Sequence, residues 1–155
     1  MNRSVALCTF IVSTGVWIIL SVCAPWVLGD SNKFMKDFLS DKLLSLLGII
    51  VTITLASIAN LHLELNKIEA AAGIRGFPKA RLRLRQSAAW MIAMLLIAVA
   101  LDVIKPLINA GEIVASFLNG ASLLIIIFNA LIMVDVTQMV FAIEPNLPED
   151  NQIDK

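Results

Sequence analysis

The sequence predicts an all-α, polytopic membrane protein: a bundle of four transmembrane helices, some of them extended into the cytoplasm. Three observations carry this. Hydrophobic residues make up 59% of the 155-residue chain, charged residues 15%, and mean hydropathy is +0.87. A soluble domain of this size could not cover so much apolar surface with so few charges, whereas a bilayer needs no such cover. The apolar residues are also gathered into four runs, each near or above the ~20 residues needed to cross a hydrocarbon core of ~30 Å. Finally, the net charge of zero hides an asymmetry: half of the Lys and Arg residues fall in one short segment, Glu64 to Arg85.

The first run, Val5 to Leu28, is uncharged and ends in Pro25 and Trp26, a helix-ending residue and an aromatic interface anchor. Arg3 and the Leu20–Cys23 stretch faintly mimic a secretory leader. Val22 is a poor residue before such a cysteine, and the run is longer than a leader core, so a retained helix is expected. Cys8 and Cys23 both lie in this run, ~22 Å apart along a helix, too far to bridge within it. The next segment, Gly29 to Lys42, balances three lysines with three aspartates. Phe34, Phe38 and Leu39 share a helical face there, which suggests a short interfacial helix.

The second span covers about 43–63. Gly48, Thr52, Ala56 and Asn60 recur every four residues, the spacing that lets another helix approach closely in lipid. Packing within the chain and contact with a second copy are both open. Leu61, Leu65, Ile68 and Ala72 continue an apolar stripe, so the helix is expected to run to about Ala72, where Gly73 and Gly76 end it. Phe77-Pro78 opens the next helix. Only sixteen uncharged residues separate Arg85 from Asp102, so the third span, about 84–104, must draw in leucines between arginines that snorkel to the headgroups. Asp102 and Lys105 are spaced to pair at its far end. The fourth run begins at Ile113; its span is about 113–134, and its helix is too long for the core. Residues 1–145 thus form one transmembrane domain with a helical hairpin at 64–85, and 146–155 a flexible tail rich in charge.

An even number of spans puts both termini beside the hairpin. That side holds eight of the twelve Lys and Arg residues, so the positive-inside rule assigns it to the cytoplasm of a bacterial inner membrane.

Candidate chemistry is sparse. Asp135 reaches the inner boundary of the fourth span, at the depth of Arg85; an Arg85–Asp135 pair, with His62 or Gln138 nearby, would lock helix register. A proton or ion relay through Asp135 is the alternative, thinly served by Thr52, Thr54, Asn119, Ser122 and Asn129 at mid-depth. His62 is the sole histidine, which leaves no histidine-based zinc site in one chain. No phosphate-binding glycine loop or nucleophile elbow occurs. Catalysis, a cofactor, a metal and a nucleic-acid partner are therefore not expected.

What remains is a cytoplasmic platform for a protein partner or for anionic headgroups, apolar at Leu65 and Ile68 and basic at Arg75, Lys79 and Arg81. In size and layout, a compact four-span chain with a basic intracellular hairpin resembles the small membrane subunits of bacterial anti-phage defence operons, in particular that of Kiwa-type systems. The resemblance implies an oligomeric membrane sensor that holds a soluble effector at the inner membrane, and carries no residue over. The expected function is a non-enzymatic, homo-oligomeric membrane protein that recruits or regulates a cytosolic partner. The competing expectations are a small oligomeric pore and an immunity-type protein against a pore-forming toxin.

Overall fold

The computed structural model describes residues 3–73, 77–108 and 111–142. Every regular element among them is helical: α1 (Arg3–Cys23), α2 (Pro25–Leu28), α3 (Lys33–Asp37), α4 (Leu43–Ala72), α5 (Pro78–Ile104) and α6 (Glu112–Ala142). A π-helical turn, Phe38–Lys42, joins α3 to α4, and a 3₁₀ turn, Lys105–Leu107, closes α5. Three helices are long and apolar enough to cross a membrane, within Pro25–Ala71, Pro78–Leu107 and Glu112–Phe141; Leu7–Cys23 is a shorter apolar helix. The chain is a membrane protein by that measure.

Local chemistry sets the boundaries. The first helix stops at Cys23, five residues short of the expected Leu28. Pro25 disfavours helical backbone at the residue before it, and Ala24 adopts φ −143°, ψ 61°. The chain then restarts as α2 with proline in its first turn. Asn32 caps α3, its side-chain oxygen accepting from the Met35 N–H (3.3 Å) while its amide donates to the Val27 carbonyl (2.8 Å). Phe34 and Phe38 stack with centroids 6.0 Å apart, while Met35 and Leu39 turn inward. Gly73 ends α4 at φ +64°, a left-handed conformation in which a Cβ is strained. At ~1.5 Å per residue the 30 residues of α4 measure about 45 Å, well beyond a ~30 Å core.

The helix α6 is the hub, packing against α1, α2, α4 and α5, while α4 also packs on α5. On α4 the buried residues are Leu43, Leu47, Val51, Thr54, Ile58, Leu61 and Leu65, one line at spacings of three and four; on α5 they are Leu84, Met91 and Ala98, seven apart. Two apolar clusters result. Leu39, Leu43, Leu47, Ala98 and Ile125 belong to one, and Ile58, Leu61, Leu65, Leu84 and Val136 to the other. A second face of α6 receives α1. Phe10 meets Phe128 and Trp17 meets Phe117, both edge-on, with centroids 6.2 and 5.7 Å apart. Gly120 makes that approach possible, since a Cβ there would lie 2.0 Å from Trp17 Cδ1.

Candidate functional site

The hairpin is tied together by one carboxylate. Glu69 and Asn66 lie one turn apart near the end of α4. Arg81, one turn into α5, donates from Nη2 to both: to Asn66 Oδ1 at 2.6 Å and to Glu69 Oε2. The other Glu69 oxygen accepts the Phe77 N–H at 3.1 Å. That N–H precedes the first turn of α5 and has no helical acceptor, so Glu69 both caps α5 and fixes it to α4.

This geometry corrects the expected docking set. Arg81 is committed to the hairpin rather than presented to a partner. Leu65 is 1% exposed and packs with Leu61, Leu84 and Val136, so it belongs to the interior. Ile68 is half-buried, and Arg75 lies outside the described residues. Of the expected residues that are described, only Lys79 is exposed. It is joined by Leu82, Arg83 and Arg85, all exposed on the first two turns of α5. The nearby Lys67 pairs with Glu64 at 2.7 Å. A charge count cannot separate a tied arginine from a free one. The signal available was the Asn66/Glu69 spacing, which sets two oxygens on one face opposite the next helix.

The expected Arg85–Asp135 pair is likewise corrected. Arg85 is exposed, and among the described residues no ion pair joins it to Asp135. Asp135 is half-buried and not left without a partner. It lines a cavity of about 200 Å³ between α5 and α6 with Arg83, Gln86, Ser87, Trp90 and Phe128. Depth alone suggested Arg85, but a helix turns ~100° per residue, so Arg83 and Arg85 point some 200° apart around α5. His62 and Gln138 are exposed.

The small residues of α4 lie beside its buried line, not on it. Thr52, Ala56 and Asn60 are exposed, Gly48 is half-buried, and a Cβ at Gly48 would meet nothing within 4 Å. This face is turned away from the helices of its own chain. Of the mid-depth polar residues, Thr52 is exposed, while Thr54, Asn119, Ser122 and Asn129 are buried. Thr54, Ser122 and Asn129 each donate to a carbonyl four residues back (2.7, 3.1 and 2.9 Å), the usual way a helix in lipid satisfies such donors.

The opposite end of the helices carries a second polar assembly, organised by Asp30 in the α2–α3 loop. Lys105 Nζ lies 2.7 Å from Asp30 Oδ1. Asn119, 1% exposed, donates to the same oxygen at 3.0 Å and to the Leu28 carbonyl at 2.7 Å. Burial pushes the Asp30 carboxyl up, but the hydrogen bonds from Lys105 and Asn119, with the charges of Lys105 and Lys36, outweigh it and hold the group below its ordinary value. The expected Asp102–Lys105 pair is therefore replaced: Lys105 reaches across to Asp30, and Asp102 has no ion pair among the described residues. The residue that sequence reasoning missed is Asp30. Its partner Asn119, a primary amide within an apolar run, was the available hint.

Among the described residues no three His, Cys, Asp or Glu side chains gather as metal ligands, and Cys8 and Cys23 are free and exposed. Comparison with family models, curated proteins and solved structures finds no match.

Proposed function

We propose that this chain is a non-enzymatic, four-span protein of a bacterial inner membrane, with both termini and the 64–85 hairpin in the cytoplasm. It assembles with copies of itself and recruits or regulates a cytosolic protein through that hairpin, as the membrane anchor or sensor of an anti-phage defence system. The observation that carries this reading is the Glu69 clasp. A hairpin that served only to connect two spans has no need of a shared carboxylate holding its helices in fixed register; a docking surface does. The four-span count is supported by the length of α1, whose 21 residues reach ~31 Å and match a hydrocarbon core of ~30 Å. Self-association is supported by the outward face of Gly48, Thr52, Ala56 and Asn60.

The docking surface under this proposal is Lys79 and Arg85 flanking Leu82, not the clasped Arg81. Replacing Lys79 and Arg85 together by Glu should abolish co-purification of the cytosolic partner and leave the oligomeric state unchanged. Retention of every partner by that variant would refute the docking role. One observation favours a second reading, a pore. The outward polar residues Thr52 and Asn60 on α4 would line a common axis if copies met along that face. Ion flux through liposomes containing the purified protein tests it, and absence of flux across a range of voltages counts against it.

A further inference from the structure

The cavity of about 280 Å³ at the Asp30 end is built from charges of both signs over an apolar floor. Its walls include Asp30, Lys36, Asp102 and Lys105; Leu43 and Leu118 are among the floor residues. Asp30 and Lys105 neutralise each other at 2.7 Å. That leaves Lys36, exposed, and Asp102, half-buried, facing one cavity with no ion pair to each other or to any other described residue. A simple anion would meet Lys36 but be repelled by Asp102, and a simple cation the reverse. A molecule carrying both charges satisfies each wall. The π-helical turn supplies Leu39 and Ser40 to the lining, and such turns, rare in general, gather at functional sites.

We propose that this cavity binds a zwitterionic group of the phosphoethanolamine class, its phosphate at Lys36 and its ammonium at Asp102, supplied by a membrane lipid or by a free headgroup. The apolar floor suits the glycerol and first methylenes of a lipid. The proposal rests on this end of the helices lying at a membrane surface, not on docking at the hairpin, which is at the opposite end.

The test uses the full chain purified in micelles, with phosphatidylethanolamine or phosphatidylglycerol of identical acyl chains added, and retained lipid counted by native mass spectrometry. The unmodified protein should hold the ethanolamine lipid roughly tenfold more tightly, the scale of one charge-assisted hydrogen bond. Asp102→Asn should remove the preference by weakening the ethanolamine lipid and relieving repulsion of the glycerol lipid. Lys36→Gln should weaken both. Thermal unfolding confirms that each variant is folded, and a general loss of structure would not reverse one preference selectively. Glycerophosphoethanolamine at equal concentration separates the sources: displacement assigns the cavity to a free headgroup, persistence to the lipid, and either upholds the paired-charge chemistry. Equal retention of the two lipids by the unmodified protein, or an unchanged preference in folded Asp102→Asn, would overturn the proposal.

Discussion

Among its described residues the hairpin contains two ion pairs, and they should differ sharply in energetic weight. In Glu69–Arg81 the side chains are 16% and 32% exposed; in Glu64–Lys67 they are 57% and 73% exposed. A short N···O distance does not make an exposed pair stabilising, because water competes for both charges and two long side chains must be ordered; such pairs contribute roughly 0.2–1 kcal/mol. Hydrogen bonds to charged groups in partly buried surroundings contribute about 1.5–3 kcal/mol. The Glu69–Arg81 pair lies between these limits, since Arg81 remains about a third open to water, so its coupling energy should be about 1.5 kcal/mol. The assay is a double-mutant cycle: Glu69→Ala, Arg81→Ala and both together, followed by equilibrium unfolding of the purified protein in micelles. The parallel cycle with Glu64→Ala and Lys67→Ala should give no more than a few tenths. Glu69→Ala should also speed hydrogen exchange at the Phe77 amide, whereas Glu69→Gln, which keeps an acceptor, should protect it substantially. Equal coupling energies in the two cycles would refute the claim that Glu69 holds the hairpin in register.

Two further outcomes follow from the other contacts. Gly120→Ala should destabilise the protein by about 1–3 kcal/mol, because the new Cβ meets the Trp17 indole at 2.0 Å and the side chain must leave its packed position; combining it with Trp17→Ala should make the glycine change close to neutral in thermal unfolding. The lowered pKa of Asp30 fixes the sign of a pH effect. Its stabilisation is fully present above the unfolded carboxyl value, ~3.9, and is lost as pH falls through the lower folded value. Unfolding measured from neutral pH into that acid range should therefore be less pH-dependent in Asp30→Asn than in the unmodified chain.

The helices were legible because their causes are local. Apolar run length, Pro78 in a first turn and Gly73 past a last one are each decided by backbone chemistry within a few residues. The early end of α1 was legible in principle too, because Pro25 restricts Ala24, but uninterrupted hydropathy masked it. What the sequence could not display is the rotation of each helix about its axis. In a soluble helix the polar face marks the outside; in lipid both faces are apolar. On α4, Ile49 and Ile53 are 58% and 57% exposed while Leu47 and Val51 are buried, with nothing in residue type to separate them.

By itself, then, the sequence determined that this is a chain of long apolar helices, where α4 stops, and that its positive charge is gathered in one hairpin. Only the tertiary structure decided how the charges are used. It tied Arg81 to Glu69, carried Lys105 past Asp102 to Asp30, and placed Arg83 rather than Arg85 at the cavity of Asp135. Each depended on helix rotation, which packing between helices sets and composition does not record.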